Sequence, residues 1–334
     1  MNSPASPNSS SLVPAINGAA FDFVGRGLHR PECVLCTARG DVFASDWRGG
    51  VSHLLPDGSQ GAYLGRLPDG GALRPNGISL EEDGSFLIAH LGDTTGGVYR
   101  LTRGGGVSVF LDRVDGDPLP PTNYVFTDRV GRRWITVSTR HVPRAAAYRG
   151  DVADGFVVLV DDKGARIVAD ALGYTNEAYV SPDGNALYIN ETFGRRLLRY
   201  AILPNGDLGR REVVTEFGTG VFPDGLAFDQ DGCVWITSII SNRVIRVFPD
   251  GSQQLMIEDA DTDHVDWVED AFRSGTLGRP HLDNAGNTVL KNVSSIAFGG
   301  AGLRTLHLGC LLGDRIACLR QDVAGYPPVH WEYR

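Results

Sequence analysis

The sequence predicts an all-β chain: a six-bladed β-propeller with four-stranded antiparallel blades and a central metal site. Three observations predict it. A unit of apolar runs and Asp-Gly turns recurs along the chain, 43 of the 334 residues are glycine, and each repeat carries one oxygen-bearing residue at the same place. Runs of four to six residues rich in Val, Ile, Phe and Trp, punctuated by tight turns, read as antiparallel hairpins. A four-stranded unit repeated at roughly 45 to 70 residues is a propeller blade.

The repeat begins with a polar residue, continues into an apolar run, turns, and enters a second apolar or aromatic run. Its clearest copies are Arg74-Pro-Asn-Gly-Ile-Ser-Leu, Pro121-Thr-Asn-Tyr-Val-Phe, Tyr174-Thr-Asn-Glu-Ala-Tyr-Val and Phe222-Pro-Asp-Gly-Leu-Ala-Phe. Weaker copies begin at Pro31-Glu-Cys-Val-Leu and Val293-Ser-Ser-Ile-Ala-Phe. Third runs such as Gly97-Val-Tyr-Arg-Leu and Arg243-Val-Ile-Arg-Val follow the second ones. Closing a propeller usually takes strands from both chain ends, and Phe21-Asp-Phe-Val and Val329-His-Trp-Glu-Tyr are the candidate partners. The widest interval contains residues 257–290, a polar stretch with room for a short helix, read as a loop over one mouth of the channel. No long 3.6-residue apolar period supports a helical fold.

The expected organisation is a disordered tail over residues 1–15 and a single propeller domain over 16–334. The tail is rich in Ser, Pro and Asn and lacks the basic and apolar regions of a signal peptide. A net charge of −9 without a basic run argues against nucleic acid, and no apolar stretch reaches the roughly 20 residues a membrane-crossing helix needs. Five cysteines, an odd and sparse set, fit a reducing cytoplasm. Cys33-Val-Leu-Cys36 has CxxC spacing but no second Cys/His pair for zinc and no βαβ context for redox chemistry. Two structural cysteines of a buried strand are expected.

Aligning the copies gives one column: Glu32, Asn76, Asn123, Asn176, Asp224 and Ser294. The first strand of each blade lines the channel, so these side chains should converge. All carry oxygen and none is His or Cys, the donor set of a hard cation such as Ca²⁺ rather than of zinc or copper. Taken singly, each could be a polar residue at a strand start. Six aligned oxygen donors favour a metal.

The segments Arg30-Pro-Glu-Cys, Pro121-Thr-Asn, Tyr174-Thr-Asn-Glu and Phe222-Pro-Asp-Gly-Leu-Ala-Phe resemble the SMP-30/gluconolactonase/regucalcin family over nearly the whole chain. The resemblance implies one divalent metal ion on Glu32, Asn176 and Asp224, with Asn123 as a further ligand or substrate contact. Ca²⁺ is expected first, with Zn²⁺, Mn²⁺ or Fe²⁺ as alternatives. It also implies lactone hydrolysis, notably of sugar lactones, with Asp224 as general base or, less favoured, nucleophile. One departure stands out: the family's Arg two residues before the third-column Asn is here Pro121, while Arg74 precedes Asn76 one blade earlier. Arg74, Asn76, Asn123 and Ser294 are therefore candidate substrate contacts.

His90, Arg140, His141 and Glu191 follow strand runs and are further candidates, although a solvated loop residue is the favoured reading of each. His264, Asp266 and Glu269 could form a lid or a hydrated helix face. Two other functions remain open: hydrolysis of phosphotriesters or aryl esters at the same metal pocket, and a non-catalytic binding propeller.

Overall fold

The computed structural model describes residues 21–333, so the expected tail over residues 1–15 lies outside the described residues. Six four-stranded antiparallel sheets form the propeller, each built from consecutive strands except the last. Blade 1 opens with the strand Val34–Cys36, blade 2 with Pro75–Leu80 and blade 3 with Thr122–Thr127. Blades 4, 5 and 6 open with Thr175–Val180, Val221–Phe228 and Val293–Gly299. These first strands touch one another in cyclic order, the last against the first, and so enclose the channel.

Closure uses the N-terminal partner the sequence suggests but not the C-terminal one. Asp22–Val24 pairs antiparallel with Ile316–Arg320 and becomes the outer strand of blade 6. Val329–Tyr333 forms no strand. Pro327 and Pro328 precede it, and proline cannot donate to a ladder. This segment instead crosses the far face: Trp331 O accepts from Ala38 N at 2.8 Å, and Arg129 donates to Pro327 O at 2.7 Å. Tyr326, Pro328 and His330 close the channel's far end over Glu177 and Ser295.

The core lies between blades, where Phe43, Phe86, Trp134 and Trp235 are fully buried. All five cysteines are buried and free, Cys36 within the first strand of blade 1 and Cys33 just before it. Between blades 5 and 6 the chain forms a 13-residue helix, Thr262–Ser274, and a short turn of helix, Arg279–Leu282. Asp261 caps the first helix by accepting from His264 N, and Gly275 ends it at φ 70°. Its buried face, with Val265, Val268 and Ala271, packs on Tyr148, Tyr174, Phe193 and Phe222. Glu269 is buried and paired with Arg195 at 2.6 Å, whose guanidinium lies 4.3 Å from the Phe222 and Phe272 rings. His264 is likewise buried, whereas Asp266 faces solvent. No helix among the described residues is long and apolar enough to cross a membrane.

Candidate active site

The column residues sit where the first strands are irregular. Pairing between first and second strands shifts register between Pro75 and Ile78, Thr122 and Tyr124, Thr175 and Ala178, Pro223 and Leu226, and Val293 and Ile296. Each interval holds a column residue. A bulge turns a side chain out of the strand's alternation and releases backbone groups from the ladder. Neighbouring blades capture several of those groups. Asn76 Nδ2 donates to Asn123 O at 3.0 Å, Asn190 Nδ2 to Asp224 O at 2.9 Å, and Ser294 Oγ to Glu32 O at 2.9 Å.

The glycine after the column residue serves this contact rather than a hairpin turn. A Cβ on Gly225 would lie 2.5 Å from Ser294 O and 2.7 Å from Ser295 Cα. On Gly77 it would lie 2.7 Å from Tyr124 Cα. Only glycine lets adjacent inner strands approach so closely.

Four column residues, Glu32, Asn123, Asn176 and Asp224, line one cavity, which offers about 460 Å³ of empty space counting its open mouth. Arg30, Arg144, Tyr148, Tyr174, Thr192, Arg279 and Asp283 complete its polar wall. Asn176 Nδ2 donates to Thr192 Oγ1 at 3.0 Å, and Thr192 donates to Pro223 O at 2.8 Å, which leaves the Asn176 carbonyl oxygen for the cavity. Glu32 receives Arg30 at 2.8 Å. Arg30 and Tyr174 each stand two residues before a column member and have left-handed backbone, φ 52° and 65°. Such strain costs on the order of 1 kcal/mol or more per residue and collects at functional sites.

Burial is the main force pushing the Asp224 carboxyl well above the usual carboxylate range, followed by the charge of Glu32; Arg30, Asn176 and Arg144 oppose it. Glu177, deeper in the channel, is raised by burial in the same way, although it accepts from Leu226 N at 2.9 Å. The buried Asn123 Oδ1 has no hydrogen-bond partner among the described residues. Two carboxylates held close despite their repulsion, with an amide oxygen left unsatisfied, suit a hard divalent cation. No group of three or more His, Cys, Asp or Glu gathers at metal-binding spacing among the described residues, so any cation here would rest on two carboxylates and amides.

The other sequence candidates are placed elsewhere. Asn76 is buried behind Asn123, its own Oδ1 unpartnered. Ser294 is committed to Glu32 O. Arg74 pairs with Asp93, its guanidinium 6.0 Å from the Trp47 ring. His90 is buried with Nδ1 accepting from Arg74 N at 3.0 Å, and burial depresses its pKa to about 4. His141 binds Asp154 at 2.8 Å, and Arg140 pairs with Asp170 at 2.7 Å. Glu191 is fully buried against Arg196 at 2.6 Å and Gly173 N. None of these lines the cavity. Sequence reasoning missed Arg144, Tyr148, Arg279 and Thr192. Arg30 and Tyr174 had a legible signal, the position two before the column, but the loop residues had none.

Residues 30–262 match the family model described as the SMP-30/Gluconolactonase/LRE-like region. A 6-deoxy-6-sulfogluconolactonase of Pseudomonas putida is 29% identical over 304 residues, covering 89% of this chain and 87% of that protein. Among solved structures, a gluconolactonase of Xanthomonas campestris, XC5397, is similar with a TM-score of 0.64 at 17% identity, covering 92% of this chain and 97% of that one. A calcium-binding regucalcin of Agrobacterium tumefaciens gives 0.66 at 18% identity, covering 93% and 98%. At these identities the two structures share the fold.

Proposed function

As the chain belongs to the SMP-30/gluconolactonase/LRE-like family, we propose that it is a metal-dependent lactonase, with a sugar lactone as its default substrate. The observation that carries this reading is the convergence of Glu32, Asn123, Asn176 and Asp224 from four blades on one cavity. The names of the Pseudomonas and Xanthomonas relatives support the lactone, and that of regucalcin supports calcium.

A divalent cation held by those four residues would supply Lewis acidity toward a lactone carbonyl. Asp224 is the general base. It accepts a proton from the water whose oxygen bonds to the carbonyl carbon, then returns it to the ring oxygen as the C–O bond breaks. A cation in contact would lower the carboxylate's proton affinity, so this role needs one oxygen to hold the ion while the other orients the water. Arg30 holds Glu32 in place, and the Asn176–Thr192–Pro223 chain fixes the amide.

The test is a panel of lactones, aryl esters and phosphotriesters on metal-stripped protein, with Ca²⁺, Zn²⁺, Mn²⁺ and Fe²⁺ restored in turn. Lactone opening that returns with a metal, together with a rise in Tm, is expected, since an ion bound only by the folded state stabilises it. Activity confined to phosphotriesters or aryl esters would move the reaction class. An unchanged Tm and no turnover with any metal would favour a binding propeller.

A further inference from the structure

Two insertions stand over the cavity, and each brings an arginine to it. The connection between the second and third strands of blade 3 spans residues 138–154, whereas that of blade 5 is only Ser241 and Asn242. Long connections in compact domains usually carry function. This one forms a 3₁₀ turn, Arg144–Ala147, that places Arg144 and Tyr148 in the cavity wall. The insertion between blades 5 and 6 supplies Arg279, which lines the same cavity as Tyr148. The two insertions pack together through Ala147, Tyr148, Val265, Val268 and Leu282.

The charges there are unequally matched. Arg30 is paired with Glu32 and Arg279 with Asp283. Arg144 is half-buried and has no ion-pair or hydrogen-bond partner among the described residues, and it lines the cavity together with Tyr148, Tyr174 and Glu32. The cavity wall holds three arginines against three carboxylates, Glu32, Asp224 and Asp283. A divalent cation on Glu32 and Asp224 would leave the pocket with two excess positive charges, in a chain whose net charge is −9. A neutral lactone answers none of that excess. A half-buried guanidinium without an ion-pair partner, beside two phenol hydroxyls, matches an oxyanion, which it can engage with forked donors.

We propose that the substrate is a lactone carrying a sulfonate, carboxylate or phosphate substituent, and that Arg144, with Tyr148 and Tyr174, binds that oxyanion. This deepens the lactonase reading and rests on it. The step adds no chemistry to ring opening. It orients the lactone and raises the affinity for charged members of the class.

The test compares KM for lactones matched in ring and differing only in a sulfonate, carboxylate, phosphate or hydroxyl substituent, in wild type and Arg144→Gln. Wild type is expected to prefer one charged lactone by at least about tenfold in kcat/KM, the range of a charge-assisted hydrogen bond. Arg144→Gln should remove that preference, raising KM for the charged lactone by at least about tenfold more than for the neutral one. Arg144→Lys keeps the charge and should retain part of the preference, which separates recognition from misfolding. An equal loss on charged and neutral lactones, or no preference in wild type, overturns the subsite and leaves the lactonase reading standing. If no lactone is opened at all, that reading fails. Calorimetry with unhydrolysable ring ethers, sulfonated and neutral, then decides the subsite. Tighter binding of the charged ether that Arg144→Gln abolishes supports it, and equal binding overturns it.

Discussion

Two buried aspartates five residues apart in blade 5 have opposite surroundings. Asp229 is fully buried, and both of its oxygens are satisfied. Oδ1 accepts from Asp231 N and Cys233 N, at 3.0 and 2.9 Å. Oδ2 accepts from Trp235 Nε1 at 2.8 Å and Arg246 Nε at 2.7 Å. Blade 3 repeats the arrangement, with Asp128 receiving Trp134 Nε1 at 2.9 Å and Arg132 Nε at 2.7 Å. Asp224 is 4% exposed, scarcely more open than Asp229, yet no arginine pairs with it among the described residues, and Glu32 repels it. Burial and charge are therefore shared by both aspartates. What separates them is whether the surrounding protein has already supplied the donors. Asp229 spends its charge on the hairpin, whereas Asp224 has no arginine or tryptophan donor of that kind among the described residues.

The largest expected effect is at Asp224, the proposed base. Asp224→Asn should lower kcat by roughly 10²–10⁴ at saturating metal, the usual worth of a general base. The metal-free protein should melt no lower than wild type, because a desolvated and repelled charge has been removed. Near-normal kcat would put the base elsewhere. The reciprocal change, Asp229→Ala, should cost about 3–5 kcal/mol by leaving Trp235 Nε1 and the Asp231 and Cys233 amides without their acceptor and Arg246 with only the exposed Asp231. It should leave kcat per folded molecule unchanged, as read by denaturant melts and active-site titration. A fall in kcat with stability intact would assign Asp229 to the chemistry.

His90 extends the same contrast to a titrating group. Its folded pKa, depressed to about 4 chiefly by burial and then by the charge of Arg74, lies below the unfolded value near 6.5. The unfolded chain therefore binds the proton first as pH falls. Stability is fully present above about 6.5 and is lost progressively down to about 4, by up to about 3 kcal/mol. His90→Gln should flatten that slope in urea melts and leave kcat/KM within about twofold. The smallest effect is expected at Arg74, paired with Asp93 near the surface. Arg74→Ala should cost less than about 1 kcal/mol, and its KM should stay within about threefold. A large KM rise across the lactone panel would return Arg74 to the substrate contacts.

Much of this contrast could be read from the chain, and some could not. Asp128 and Asp229 each stand six residues before a tryptophan and close to an Asp-Gly or Val-Gly turn, a pattern visible in the sequence as part of the repeat. The column was visible for the same reason: every blade must begin a strand at the channel, so equivalent residues recur at equivalent steps. Arg144 and Arg279 could not be found that way. They sit on insertions that break the repeat, and nothing in local spacing says which loop folds over which mouth. Val329–Tyr333 looked like a closing strand because its composition suits one, but two preceding prolines and an edge already filled by Asp22–Val24 sent it across the far face.

The sequence by itself determined the number of blades, the polarity of the inner strands and the set of oxygen-bearing residues available to the channel. Those follow from periodicity, which is a local property repeated. Only the tertiary structure decided that Glu32, Asn123, Asn176 and Asp224 share the cavity while Asn76 and Ser294 turn to neighbouring blades. That choice depends on which backbone groups each bulge frees and which neighbouring blade captures them. Such contacts join residues as far apart as Glu32 and Ser294 and leave no trace in spacing.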